Sequence, residues 1–406
     1  MPQCAASIMT LHDAFRSALQ KRQSKSSRRQ LTLRSPNAVD FSSNDFLSLS
    51  TSSLFRERFL SLLNQAPPDY PFASGGSRLL DGNSPFTEEL ERFIAAFHNA
   101  PTGLLFNSGF DANVGVLSSI PQPGDGILYD EHIHASAHEG MRLSRAGWRE
   151  SFSHSCPVSL RRKLEGRIQR DAGIANGDRN VFVAFESIYS MDGDIAPIRE
   201  IVDVVDELLP RGNAYFLVDE AHASGVLGPK GAGVVQELGL EERMLIRVHT
   251  FGKALASHGA IVLCSPDTRE YLINYARSLI YTTALGYPYL ASIRAAYELL
   301  SESLVEPHRQ NLQHLIHHIR QRLLNLNPGH IQLDHSPSSP ILSLRTPYPR
   351  QLADACQKAG FVVRAIMAPT VPKGQERVRV CVHAGNTEEE IEGLVGVIKR
   401  WMGGKL

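Results

Sequence analysis

Short apolar runs alternate with helical periodicities along most of this 406-residue chain. Gly103–Phe106, Gly126–Tyr129, Val181–Phe185, Tyr215–Val218 and Gly259–Leu263 are each four or five residues long. Runs of that length bounded by turn residues predict strands. Strands separated by helical stretches predict an α/β fold around a mainly parallel sheet. Near the start, Leu11, Ala14, Phe15, Ala18 and Leu19 fall on one helical stripe, which predicts an arm helix that packs on the body. Phe72 to Asn83 is rich in Gly and Ser and predicts a loop. Ser84-Pro85 then opens a helix, with Glu88, Glu89 and Glu91 near its start. Pro307 to Leu324 predicts a long helix, followed by strand-like runs at Ile341–Leu344, Val362–Ile366 and Val378–Val382 and a closing helix from Thr387 to Trp401. The predicted division is an N-terminal arm, 1–45, a large domain, 46–290, and a smaller C-terminal α/β domain, 291–406.

Composition narrows the class. Hydrophobic residues make up 42% and charged residues 21%, which predicts a soluble globular chain. Lys+Arg and Asp+Glu are both 42, so net charge gives no reason to expect nucleic acid or an anionic membrane as partner. The five cysteines are scattered without a CxxC, which argues against a disulfide framework or zinc knuckle and for a reducing compartment. No apolar run approaches the roughly 18 residues that a membrane span needs. The first 39 residues hold seven Lys/Arg and one acid, Asp13. That balance resembles a transit peptide, but the helical stripe favours an arm helix.

The chemistry concentrates around Lys253, in Val248-His249-Thr250-Phe251-Gly252-Lys253. Upstream, the apolar run Tyr215–Val218 ends in Asp219-Glu220-Ala221-His222, and further upstream stands His134-Ala135-Ser136. A lysine, a carboxylate at a strand end and two histidines suit pyridoxal phosphate (PLP). The amine forms a Schiff base, and the carboxylate pairs with the pyridine nitrogen and strengthens the ring as an electron sink. One histidine can stack on the ring and another can bond its phenolic oxygen. Asn107-Ser108-Gly109-Phe110 joins an apolar run to a helical stretch, so its backbone N–H groups can face a phosphate.

Other readings fit less well. Val218–His222 also spells a helicase acid box, but Gly252-Lys253 is followed by Ala254 and no phosphate loop ending in GK[ST] occurs. His132, His134 and His138 invite a metal reading, yet no HExxH pattern accompanies them, and no metal is expected. Arg377 and Arg379 alternate along a strand-like run. Either both face solvent or one grips a substrate carboxylate.

From about Asp40 to Thr387 the chain resembles the α-oxoamine synthases, PLP enzymes of fold type I. The resemblance rests on FSSNDFLSLS, SGGSRLLDGNSPFTEELE, LLFNSGFDANVGVL, DEHIHASAHEGMR, ESIYSMDGDIAPI, FLVDEAHASGVLGPKGAG, HTFGKALASHG, ARSLIYTT and APTVPKGQERVRVCVHAGNT. It implies Lys253 as cofactor anchor and proton carrier, Asp219 at the pyridine nitrogen and His222 at the phenolic oxygen. It further implies His134 on the ring face, with Ser190 near that oxygen. Ser108, Gly109, Phe110 and Thr250 would hold the phosphate. Thr282 would reach the phosphate of a neighbouring subunit, which implies a homodimer with shared sites. Arg379 would hold the amino-acid carboxylate, with Asn44 nearby.

The implied reaction is a decarboxylative condensation of an amino acid with an acyl thioester, giving an α-amino ketone. Gly76–Asn83 is similar to the biotin-synthesis branch, which implies L-alanine and pimeloyl-CoA. Asp130–His134 looks like fungal members, some of which serve polyketide pathways, so polyketide or long-chain thioesters form the alternative. Ala254–Gly259 departs from the Gly-Phe-Gly-Val-Ser-Gly string of bacterial members beside the lysine, and leaves the acyl chain open. A catalytically silent partner subunit of the same fold would be expected to lack Lys253. The C-terminal Gly404-Lys405-Leu406 resembles the peroxisomal address Ser-Lys-Leu. The expected locations are the cytoplasm or the peroxisome.

Overall fold

Strand Val181–Glu186 is buried at all six positions. A strand apolar on both faces needs cover on both, and helices supply it here. In this computed structural model, which describes residues 10–25, 27–326, 332–333 and 336–404, that strand lies within a seven-stranded sheet. Across the sheet the order runs Thr102–Phe106, Ala260–Cys264, Met244–Thr250, Ala214–Asp219, Val181–Glu186, Gly126–Asp130, Trp148–Phe152. Ala260–Cys264 runs antiparallel to both neighbours, and the other five strands from Met244–Thr250 outward pair in parallel. The α/β class with a mainly parallel sheet is therefore as the hydrophobic pattern predicts.

Helix Ile198–Leu208 illustrates what covers the sheet. Ile198, Ile201, Val202, Val204 and Val205 are buried along one side of it. Each such side chain contributes roughly 1.5–3 kcal/mol on leaving water, far more than the propensity of β-branched residues costs the helix.

The C-terminal part builds a second, four-stranded sheet in the order Arg364–Ile366, Arg377–Cys381, Ile341–Arg345, Gln332–Leu333. Its pairings are antiparallel. Helices Glu306–Leu324 and Glu388–Gly403 are tied together by His314 to Glu388 (2.7 Å) and His318 to Glu392 (2.9 Å). The predicted run Val362–Ile366 is two strands. Phe361–Val362 pairs with Val39–Asp40, while Arg364–Ile366 joins the four-stranded sheet.

By compactness the chain divides into Met1–Ala38 and Val39–Leu406. Within the first unit, helix Leu11–Ser24 forms where the stripe predicts it. A capping box at Thr10 starts it, with the Asp13 N–H donating to Thr10 Oγ1 and the Asp13 carboxylate accepting from the Thr10 N–H. Its residues Leu11, Phe15 and Leu19 are exposed. Among the described residues no helix is long and apolar enough to cross a membrane. Lys405 and Leu406 of the C-terminal tripeptide lie outside the described residues.

Candidate active site

Parallel strands deliver their carboxyl ends to one edge of the sheet, where ligands of open α/β sheets bind. Glu186, Asp219 and Thr250 each close a strand there, and Glu186 stands opposite Asp219 in register. They border a cleft of about 700 Å³, which is also lined by Ser108, Gly109, Phe110, Asn113, His134, His222, Lys253 and His258.

Lys253 is set by the turn that follows Thr250. The Phe251 N–H donates to the Gly259 carbonyl (3.0 Å) and the Ser257 N–H to the Phe251 carbonyl (2.8 Å), with the Phe251 ring fully buried as anchor. Burial pulls the Lys253 ammonium below the usual lysine range, and the charges of Asp219 and Glu186 oppose that shift. A lysine so placed gives up its proton more readily than one in water, which favours the free amine that a nucleophile or base needs.

Asp219 is held as an acceptor. Its Oδ1 takes the Ala221 N–H (2.9 Å) and its Oδ2 the Asn113 amide (2.7 Å). The Ala221 bond turns the chain sharply and brings His222 back to the cleft. Burial, followed by the charges of Lys253 and Arg379, holds His222 well below the ordinary histidine range, so its ring is neutral. Burial also lowers His134.

Helix Gly109–Ser119 points its N-terminus into the cleft, capped by Ser108, whose Oγ accepts from the Asp111 N–H (3.0 Å). A Cβ on Gly109 would come within 2.4 Å of the Thr250 Cγ2. Only glycine lets the helix start lie against that threonine. The Thr250 hydroxyl donates to the Ala221 carbonyl at 3.4 Å.

These residues fit PLP. The free N–H groups of the helix start suit its phosphate, and the anionic Asp219 suits a protonated ring nitrogen. His222 Nδ1 and Glu186 Oε1 are buried without a partner among the described residues. Such orphaned atoms are costly unless a bound polar group completes the site.

A second group stands beside the cleft. Arg379 is buried, with Nε donating to the Ser190 carbonyl (2.6 Å), Nη2 to Asn44 Oδ1 (2.8 Å) and Nη1 to the Ser42 carbonyl (3.4 Å). Asn44, Ser190 and Arg379 are thus brought together. The solvent-facing alternative for the two arginines is excluded, because Arg377 is fully buried too and pairs with Asp192. Thr282 stands apart from the cleft lining and accepts from the Asn107 amide (3.2 Å), just before the capped helix.

His134, as N-cap of helix Ala135–Leu143, and His138, packed edge-on against Tyr129, do not join His132 in a cluster. His132, His154 and Asp192 do bring potential ligand atoms within 4.8 Å of one another. Those groups are engaged otherwise. Asp192 accepts from Arg345 and Arg377, and His154 Nδ1 donates to Asp130 (2.9 Å). The cluster braces the turn from Tyr189 to Asp194. There Gly193 takes a positive φ of 78°, and a Cβ on it would meet the Ile341 carbonyl at 2.1 Å.

The family model for aminotransferase class I and II matches residues 36–398. The 8-amino-7-oxononanoate synthase of Emericella nidulans is 67% identical over 395 residues, spanning 97% of this chain and 96% of that one. The chain belongs to the α-oxoamine synthases of this PLP-dependent family. Another relative, the aminoacyl transferase sphA of Aspergillus fumigatus, is 39% identical and covers 93% of this chain and 83% of its own. Among solved structures, the 8-amino-7-oxononanoate synthase of Francisella tularensis superposes with a TM-score of 0.74 at 26% identity, covering 91% of this chain and 99% of that one.

For a member of this family, three lining residues with polar side chains were not singled out from the sequence. Glu186 opens the quoted string ESIYSMDGDIAPI, and its place at a strand end opposite Asp219 was the available signal. Asn113, one turn into the capped helix, and His258, in the divergent string after Lys253, gave no signal by residue type.

Proposed function

We propose that this protein condenses L-alanine with a pimeloyl-type acyl-CoA, releasing carbon dioxide and the free thiol and giving 8-amino-7-oxononanoate. The observation that carries the reading is one cleft that gathers Lys253, Asp219, His222, His134 and a capped helix start, in a chain 67% identical to an 8-amino-7-oxononanoate synthase.

When bound, PLP supplies an electron sink for the carbanion that forms at the amino-acid Cα before and after decarboxylation. Lys253 would anchor the cofactor, and its burial-lowered amine would take the Cα proton of the bound amino acid and later return one. Asp219 would pair with the ring nitrogen, and the two hydrogen bonds it accepts fix the orientation of its carboxylate. Neutral His222 would meet the phenolic oxygen with Ser190 nearby, and His134 would cover the ring face. The Gly109 and Phe110 N–H groups, the Ser108 turn and Thr250 would hold the phosphate. Arg379 has five N–H groups, of which three face Ser190, Asn44 and Ser42, so two remain for the substrate carboxylate. The C–C bond to the acyl carbon forms as the C–S bond breaks, and loss of the carboxylate as carbon dioxide follows.

The active unit is proposed as a homodimer in which Thr282 reaches the partner's phosphate. Sedimentation of the PLP-bound protein should give twice the chain mass, and a fully active monomer would refute the shared site. Cytoplasm and peroxisome are the proposed locations. A fluorescent fusion that stays diffuse whether or not Lys405 and Leu406 are present would remove the peroxisome.

The decisive experiment incubates the PLP-loaded protein with alanine, glycine or serine and a thioester panel, with mass detection of product. Alanine with pimeloyl-CoA should dominate. Glycine or serine should be accepted weakly, since one small group is worth roughly 1–3 kcal/mol of discrimination. Faster turnover of long-chain or polyketide thioesters would transfer the assignment to them. Lys253→Ala should abolish turnover and borohydride-trapped label.

A further inference from the structure

Four side chains form a continuous hydrogen-bonded line from the bottom of the cleft to its upper face. The Asn113 Nδ2 lies 2.7 Å from Asp219 Oδ2 and 3.0 Å from Ser136 Oγ. Ser136 Oγ lies 2.7 Å from His134 Nδ1, which also accepts the Ser136 backbone N–H at 3.2 Å. Asn113 and Ser136 are both buried, Ser136 fully.

The direction of every bond in this line follows from one fact. The Asp219 carboxylate accepts at both oxygens, so the amide nitrogen of Asn113, rather than its oxygen, faces it. The second N–H of that nitrogen then points at Ser136 Oγ, which accepts. The serine proton is left for His134 Nδ1. That nitrogen also accepts the Ser136 backbone N–H, so its one lone pair is shared by two donors and the ring proton sits on Nε2, toward the cleft.

We propose that Asn113 and Ser136 are positioning residues that fix His134 as the Nε2–H tautomer and tie its orientation to the Asp219 carboxylate. His134 is then a hydrogen-bond donor toward the cleft and not a base. Protonating Nδ1 would break two hydrogen bonds at once, and burial of the ring already disfavours its charged form. The line also gives the pyridine-side acid and the ring-face histidine a common support, so that loosening one loosens the other. The charged or titratable groups facing this line are Lys253 and Glu186 beside Asp219, and His138, His222 and again Glu186 beside His134. The proposal rests on the PLP reading of the cleft.

The test uses the PLP-loaded enzyme and reads two signals besides turnover: the pH titration of the Lys253–cofactor absorption band, and the circular dichroism of that band. The variants are Ser136→Ala, Asn113→Ala, His134→Ala and the doubles of the first two with the third. Borohydride trapping on Lys253 in each variant shows separately that the cofactor site itself stands. Ser136→Ala should change the band dichroism in the direction of His134→Ala and lower kcat about tenfold, the size of one hydrogen bond to a polar partner lost from a buried line. In the His134→Ala background, Ser136→Ala should add little. Asn113→Ala should in addition shift the band titration, because Asp219 loses a donor. Ser136→Thr, which keeps the hydroxyl, should restore most of the dichroism. If Asn113→Ala does not fold, the Ser136 and His134 cycle alone decides. A Ser136→Ala enzyme with unchanged band and kcat, or with its full effect retained in the His134→Ala background, would overturn the proposal.

Discussion

Arg379 shows why a residue type in a pattern is an incomplete clue to its role. Its strand alternates in sequence like a half-exposed one, yet Arg377 to Cys381 is buried throughout. The strand lies between Ile341–Arg345 and Arg364–Ile366, and Asp192 arrives from a distant segment to neutralise Arg377. Periodicity reports one chain and cannot show cover supplied by another part of it. Lys253, Asp219 and His222 were legible because strand-end chemistry is written locally. Asn113, Ser136 and Glu186 were not, because what they do depends on neighbours more than twenty residues away. If Arg379 offers two parallel N–H groups to a carboxylate, Arg379→Lys should raise the KM for alanine about tenfold or more. Lysine presents one compact charge in place of a planar fork. Affinity read by spectral titration with alanine should fall in step. An unchanged KM would move carboxylate recognition to another residue.

At the scale of elements, the turn from Phe106 to Gly109 does two things. It ends a strand of the sheet and starts a capped helix whose N-terminus opens on the cleft. The sequence announced this turn through its small residues but not the threonine it must pack against, since Thr250 lies on another strand. Gly109→Ala therefore makes a sharp test. The new methyl would sit 2.4 Å from Thr250 Cγ2, so the helix start or the threonine must shift. PLP should bind about tenfold more weakly or worse, and the thermal midpoint of the PLP-free protein should move less than that of the loaded one. Equal PLP affinity would show that the helix start does not hold the phosphate. The split of Val362–Ile366 has a similar origin. Buried Val363 separates two short strands that pair with different partners, and one apolar run in the sequence cannot reveal that it serves two sheets.

For the molecule as a whole, buried histidines set how stability varies with pH. His98 is enclosed between the Tyr297 hydroxyl (2.9 Å) and the Ala232 carbonyl (3.1 Å), with the tilted His249 ring centred 4.0 Å away. Burial, helped by the Arg247 charge, lowers His98 from 6.5 to about 3, and burial also carries His249 well below its usual range. Such a group takes up its proton in the unfolded chain near pH 6.5 but not in the folded one. Acidification below that point therefore destabilises the fold, by about 1.4 kcal/mol per pH unit for each histidine. His154 works in the opposite sense. Burial opposes its charge, but Asp130 and Asp194 overcome this and push it up to about 10. Its contribution is full below 6.5 and is lost as pH rises toward 10. Together these groups place maximum stability near pH 6.5 to 7, with the steeper fall on the acid side. Urea unfolding of the PLP-free protein at a series of pH values should show that asymmetric dome. In His98→Gln, whose amide can still bond the tyrosine and the carbonyl, the acid limb should be shallower by about one proton. An acid limb that is flat, or that is unchanged in His98→Gln, would mean that these rings admit protons in the folded state.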